Sequence, residues 1–361
     1  MKKFGIIFII MILFIVQITS PIYASKIEDK PLEKEEQIDN KTEEDSPEDV
    51  ELPDEQIEEQ KPKEESEEND ETVETEDLPQ EPEIPYEEIH KELEEKYNLL
   101  KEENLRLRKE ILKLHNKLSK KPANKIPVLM YHHLLKQEDI DKYGWDKNNS
   151  VLSVEAFEKQ MDYLYKNGFY TATLDELQNF IDGKIILPEK TVVITFDDGY
   201  YSNAVYAYPI MKKYNFRGTI FVIGNSFEKP QKDFNPKDKK LQHISLDESY
   251  KYVDVFDYES HSYNLHKVNE NNIPLIISLD KDTIMEDLQK NKELVDGKYF
   301  AYPYGRYNKN AIEFLKDTGH EMAFTTRAGY VTKGMDKFQL PRFGISPKIK
   351  IEKFINIVNK K

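Results

Sequence analysis

Apolar residues are distributed along this chain in four patterns, and each predicts a different kind of structure. The first is a continuous apolar run from Phe4 to Val16 behind Met1-Lys2-Lys3, followed by small residues up to Ala24. It is shorter than the roughly 20 residues a membrane-spanning helix needs, so residues 1–24 read as a secretory signal peptide, with a retained anchor as the alternative. No permanent membrane span is expected elsewhere. In the second pattern, residues 25–85, Glu, Asp, Lys and Pro leave too little apolar surface to offset chain entropy, which predicts an acidic disordered spacer. It is either a stalk through a wall or capsule layer or a solubilising tail.

The third pattern is a heptad. Leu93, Leu100, Leu107 and Leu114 recur every seven residues, and Tyr97, Asn104, Ile111 and Leu118 follow each by four. These are the d and a positions of a coiled coil over residues 86–121, with Asn104 fixing register and Glu103 placed to pair with Arg108 between chains. The expectation is a parallel homodimer through residues 86–118; a lone charged helix lying against the next domain is the alternative. His90 and His115 sit on this helix and read as structural or solvated.

From residue 122 to 361 short apolar runs alternate with helical periodicity, the signature of a parallel α/β layer or barrel. Strands are expected at Ile126–Tyr131, Thr191–Phe196, Gly218–Ile223, Tyr252–Tyr258, Lys298–Tyr302 and Glu321–Thr325. Helices are expected at Val154–Lys166, Leu174–Ile181, Tyr201–Tyr214, Lys281–Val295 and Lys309–Asp317. Thr173 with Glu176 and Ser245 with Glu248 have capping-box spacing.

Charge refines this division. The formal net charge is −16, yet residues 26–85 alone carry about −21, so the rest is mildly basic. The overall acidity argues against a nucleic-acid partner but says nothing of substrate charge at the domain. The chain has no cysteine. Disulfides are therefore excluded, and an exported fold must rest on its core or on a metal.

Candidate chemistry gathers at strand ends. Thr195-Phe196-Asp197-Asp198-Gly199 follows an apolar strand, where two adjacent carboxylates suit a site better than a core, and Gly199 permits the turn. Glu259-Ser260-His261-Ser262-Tyr263-Asn264-Leu265-His266 follows another; histidines five apart can reach one ion from a loop. One carboxylate and two imidazoles with open positions make the pattern of a catalytic metal site. Phe300-Ala301-Tyr302-Pro303-Tyr304-Gly305-Arg306 supplies aromatic walls that could pack against sugar rings. Tyr131-His132-His133 ends the first strand, and Leu340-Pro341-Arg342 brings a late cation.

Together these stretches resemble carbohydrate esterase family four, the polysaccharide deacetylases, across most of residues 125–345. The segment T-F-D-D-G is the most specific hallmark, H-S-Y-N-L-H resembles the second motif and A-Y-P-Y-G the third. The five-residue histidine spacing and the opening L-M-Y-H-H resemble the branch that deacetylates poly-N-acetylglucosamine. Ala301 stands where the family's third motif has arginine, and no late Leu-x-His motif is present. The resemblance implies that Arg342 replaces that arginine and that His132 serves as the acid.

It further implies a deformed (β/α) barrel whose strand ends open on a glycan groove, and hydrolysis of N-acetyl groups on a GlcNAc-containing polysaccharide. Asp198, His261 and His266 would bind a divalent metal ion, with zinc expected. Asp197 would be the general base, oriented and kept ionised by Arg342. The backbone N–H near Tyr304, beside Pro303, would hold the oxyanion. His132 would protonate the departing amine. Peptidoglycan is the alternative substrate, and a catalytically silent glycan-binding adhesin is the alternative from another class. The product would be a secreted or surface-attached enzyme.

Overall fold

The structure, a computed structural model, describes residues 86–119, 121–239 and 241–360. The N-terminal apolar run, the acidic spacer and the side chains of Leu93, Tyr97, Leu100 and Asn104 lie outside the described residues. The strands are β1 (Lys125–Tyr131), β2 (His133–Leu135), β3 (Val151–Ser153), β4 (Tyr170–Thr171), β5 (Thr191–Phe196), β6 (Gly218–Val222), β7 (Phe256–Ser260), β8 (Tyr299–Ala301), β9 (Met322–Phe324), β10 (Tyr330–Thr332) and β11 (Phe343–Gly344).

Strands β1, β5, β6, β7, β8 and β9 lie side by side and parallel in that order, with β10 antiparallel on the outer edge of β1. The run from 340 to 344 joins the two ends of this curled sheet. Leu340 bridges Phe324 at the end of β9, and β11 then pairs with β1 at Leu129 and Met130. The result is a deformed barrel.

Alternation along each strand sorts side chains to the two surfaces of the barrel. Val128, Val193, Phe221, Tyr299, Ala301, Met322 and Phe324 belong to one buried cluster, which also takes Leu174, Leu177, Phe180 and Ile181 from the helix Leu174–Ile181. Leu129, Tyr131, Val192, Ile194, Phe196, Ile220 and Val222 belong to another, under the helices Val154–Lys166 and Ile351–Val358. Because both surfaces are covered, β5 is buried at all six positions and carries no polar alternation.

Helices at Val154–Lys166, Leu174–Ile181, Lys281–Val295 and Lys309–Asp317 form at the expected bounds. Their first turns are held by Ser153, Thr173, Asp280 and Asn308, each accepting a backbone N–H. The Thr173–Glu176 capping box is complete. At Ser245 only half forms, because the Glu248 carboxylate turns to Lys251 and Tyr252. The helix expected over Tyr201–Tyr214 is instead a π-turn at Asn203–Ala207 followed by an α-helix at Tyr208–Lys213. Pro209 has no N–H to return to Val205, so the α ladder cannot run through that point.

The helix Tyr86–Leu118 meets its own domain at its C-terminal end. Arg108 binds the Glu176 carboxylate at 2.8 Å and the Tyr170 hydroxyl at 3.0 Å, while Asn116 donates to the Ile186 carbonyl. Ile111 and Leu112 pack on the interior cluster. Arg108, which the heptad would pair with Glu103 of a second chain, is here engaged within its own chain through Nη2. Leu105, Leu107, Leu114 and Leu118 remain exposed. Among the described residues, no helix is long and apolar enough to cross a membrane.

Two buried histidines set an acid limit on stability. Burial, reinforced by His243, pushes His133 down to about 4, and burial with Lys292 nearby pushes His320 down to about 3. The native state refuses protons that the unfolded chain accepts from pH 6.5 downward. Their contribution is full above 6.5 and is lost as pH falls towards 4, at about 1.4 kcal/mol per pH unit for each group. The urea midpoint should fall between pH 7 and pH 5. In His320→Asn the accompanying loss of unfolding free energy should be smaller by about 2 kcal/mol; equal losses in the two proteins would exclude His320 as a source.

Candidate active site

All the candidate residues converge where the parallel strands end, on the face at which barrel proteins carry their sites. The Asp197 N–H still bonds to the Tyr131 carbonyl, continuing the β1–β5 ladder by one residue. Both Asp197 oxygens lie 2.6 Å from the two terminal nitrogens of Arg342. Arg342 is fully buried, donates from Nε to the Thr325 carbonyl, and lies 5.6 and 5.9 Å from the ring centres of Phe221 and Phe324. Burial alone would push the Asp197 carboxyl up, but the charge and hydrogen bonds of Arg342 together with the nearby His261 and His132 outweigh it and hold the group below the usual range.

The next two residues are left-handed, with φ of 71° at Asp198 and 73° at Gly199. A Cβ at 199 would stand 3.1 Å from Cγ1 of Val222, so the left-handed conformation favours glycine and the space beside Val222 is tight for a larger residue. This turn directs Asp198 away from Arg342 and towards two imidazoles. Its Oδ1 lies 3.3 Å from Nε2 of His261 and 3.2 Å from Nε2 of His266. Burial opposes ionisation of Asp198, yet His261, His132 and His266 together hold it far below the ordinary carboxylate range.

The two histidines reach that oxygen from a loop, as their spacing predicts. Nδ1 of His261 is 2.7 Å from the Ala301 carbonyl, so that nitrogen carries a proton and Nε2 is the atom turned towards Asp198. The His266 ring packs against Tyr304, with centroids 4.6 Å apart. The three ligand atoms of Asp198, His261 and His266 lie within 4.8 Å of one another. Oδ1 of Asp198 is buried without a hydrogen-bond partner. One unsatisfied carboxylate oxygen facing two imidazole nitrogens is a donor set that suits a divalent cation of intermediate softness.

His132 and His133 face opposite ways, as adjacent extended residues must. His132 is half-buried and near enough for its charge to act on both Asp197 and Asp198. His133 is buried, bonded through Nδ1 to Ser202, and packed between Trp145 and Tyr200. Tyr304 is 46% exposed at φ 56° and offers its ring to the solvent side of the site. Pro303, expected as a substrate contact, is buried beneath that turn and shapes it instead.

Two neighbours were not foreseen. Tyr200 is buried beside both carboxylates, and His243 packs on it with centroids 5.3 Å apart, close enough to feel the Asp198 charge. Sequence position places His243 before a helix cap, away from any strand end. A long loop returns it through a bridge to Tyr200, which no local pattern announces.

Comparison with known proteins agrees with this geometry. The sequence profile of the family described as polysaccharide deacetylase matches residues 184–323. YxkH of Bacillus subtilis, a polysaccharide deacetylase by name, is 30% identical over 238 residues, spanning 63% of this chain and 74% of that protein. The chain belongs to the polysaccharide deacetylase family. It is a hydrolase of the deacetylase class. A poly-beta-1,6-N-acetyl-D-glucosamine N-deacetylase of Staphylococcus epidermidis is 28% identical over 247 residues, covering 64% of this chain and 82% of that one. The solved structure of IcaB from Ammonifex degensii superposes with a TM-score of 0.56 at 25% identity, covering 66% of this chain and 98% of that one.

The Arg342–Asp197 pair yields a test with a defined sign. Arg342→Lys keeps a positive charge but loses the bidentate fork, so the Asp197 carboxyl should rise towards the usual carboxylate range. This deacetylase should then lose about 10- to 100-fold in kcat/KM. The acid limb of its pH profile should move to higher pH, and an unmoved limb would show that Arg342 does not tune Asp197.

Proposed function

We propose that this polysaccharide deacetylase removes N-acetyl groups from a GlcNAc-containing exopolysaccharide such as poly-N-acetylglucosamine. The observation that carries the reading is the division of labour between adjacent carboxylates: Asp197 is held ionised by Arg342, and Asp198 is aimed at His261 and His266. The choice of glycan is supported by the named activity of the Staphylococcus epidermidis relative and by the five-residue spacing of the histidines.

A divalent ion, zinc in this reading, held by Asp198, His261 and His266 supplies Lewis-acid polarisation of the acetyl carbonyl and acidifies water at the site. Asp197 takes the proton of the water whose oxygen bonds to the acetyl carbon. Arg342 holds the carboxylate in line for that transfer. The Tyr304 N–H receives the developing oxyanion, and the Tyr304 ring lies where the apolar face of a sugar can rest. His132 gives a proton to the nitrogen as the C–N bond breaks. Acetate and a free amine are the products.

Residues 1–24 act in this proposal as an export signal, 25–85 as a spacer, 86–121 as a coiled-coil segment and 122–361 as the catalytic domain, working in secreted or surface-attached form. Arg108 and Ile111 are occupied by the chain's own domain, whereas Leu107, Leu114 and Leu118 stay exposed and are open to a dimer seam. Residues 86–361 should sediment as a dimer and residues 122–361 as a monomer. A monomeric longer chain at micromolar concentration would dismiss the seam.

The function is tested by acetate release from acetylated poly-glucosamine, peptidoglycan and xylan. The largest kcat/KM is expected on the first, and preference for peptidoglycan would redirect the assignment to the cell wall. Asp197→Asn should abolish turnover with metal retained, whereas Asp198→Asn should lose both. The reverse result would mean that the two roles are exchanged.

A further inference from the structure

The two histidines of the proposed metal site are joined by a loop that is anchored from outside the site. Ser262 at its start is left-handed, with φ of 68°, so the loop leaves β7 in a conformation that the chain does not favour by itself. Two carbonyls of the loop, Ser262 and Tyr263, accept the N–H groups of Gly224 and Asn225. The N–H groups of Tyr263 and Asn264 both point to Asp287, each 2.7 Å from a different carboxylate oxygen. Asp287 lies on the helix Lys281–Val295 and is 9% exposed. One turn further along that helix, Asn291 donates to the Val222 carbonyl and to Ser260, fixing the helix against the ends of β6 and β7.

We propose that Asp287 is a positioning residue for metal binding: its carboxylate sets the path of residues 262–265 and thereby where His266 stands relative to His261 and Asp198. The inference rests on the metal reading of those three residues. Two N–H donors converging on one side chain need two acceptor oxygens, and a carboxylate supplies both at this length. An amide offers one oxygen and turns an N–H towards the other donor. Without the second anchor, the left-handed start at Ser262 lets the loop relax, and the His266 ring leaves the 3.2 Å approach to Asp198 that a shared ion requires. The effect is on ligand placement and leaves the barrel intact, because the helix keeps Asn291 and its cap at Asp280.

The test uses the full chain loaded with zinc and titrated against a competing chelator, with kcat and the thermal midpoint measured in parallel. Asp287→Asn should weaken zinc binding about 10- to 100-fold and lower kcat with it. Asp287→Glu, which keeps two acceptor oxygens, should recover part of the zinc affinity. Asp280→Ala removes the cap of the same helix, so it should lower the thermal midpoint and leave zinc affinity within about 2-fold of the unaltered protein. Equal zinc affinity in Asp287→Asn and the unaltered protein would overturn the positioning role, as would equal weakening by Asp280→Ala. Should Asp287→Asn not fold, hydrogen exchange in the unaltered protein decides: the Tyr263 and Asn264 amides are expected to be protected, and free exchange at both refutes the anchor. If the unaltered protein takes up no zinc, the metal reading fails and this inference falls with it.

Discussion

Arg342 and Asp197 are both buried, and their bidentate contact is the interaction from which the barrel's closure and the site's chemistry both follow. A guanidinium removed from water is tolerated only when it is paired and its remaining N–H groups are satisfied. Arg342 meets that condition with Asp197, the Thr325 carbonyl and the Thr195 hydroxyl, which belong to the ends of β5 and β9. The stretch carrying Arg342 therefore has one place to lie, between the last strand and the first. Barrel closure and orientation of the Asp197 carboxylate are consequences of one ion pair. Losing either partner would strand a charge in the interior, so this contact contributes specificity of structure more surely than it contributes net stability.

Around that pair, backbone conformations that side-chain-bearing residues avoid are concentrated. Asp198, Ser262 and Tyr304 all have positive φ, and each lies in the turn that follows a strand leading to the site. Gly199 and Gly305 follow two of them with positive φ of their own, and a Cβ at 305 would overlap Thr326. Extended strands alone would alternate their last side chains to opposite faces. A left-handed residue breaks that alternation, so Asp198 can turn from the interior towards the histidines while Asp197 keeps facing Arg342. The cost is met by the packed strands on either side, which over-determine the turns.

What was legible in the sequence follows from how local each cause is. The helix Leu174–Ile181 was bounded correctly because its cap, first-turn acids and apolar face all lie within nine residues of Thr173. β5 was legible because a strand covered on both surfaces has only apolar residues to show. β7 was misplaced by several residues, since Tyr250–Tyr252 closes a helical turn and the strand starts only at Phe256. The helix Ile351–Val358 was not foreseen although its apolar face packs on the outer cluster, being short and lacking a capping side chain. The two carboxylates, the histidines facing Asp198 and Arg342 were located through motif spacing and family resemblance. Asp287 and His243 were not, because an acid within a charged helix and a histidine in a polar loop look solvated until distant segments are brought against them.

The other end of the barrel has its own constraint. The helix Leu174–Ile181 fills the interior from the side where the strands begin, and Glu176 on it receives Arg108 from the N-terminal helix. Tyr170, the second partner of Arg108, pairs with Thr191 at the start of β5, six residues before Asp197 at its far end. Strand rise makes that separation about 20 Å, roughly the depth of the barrel. The helix leading back towards the acidic segment is thus fastened at the closed end, and the catalytic groups open at the other. The docking of Arg108 thus fixes the helix to the end of the barrel opposite Asp197 and Asp198.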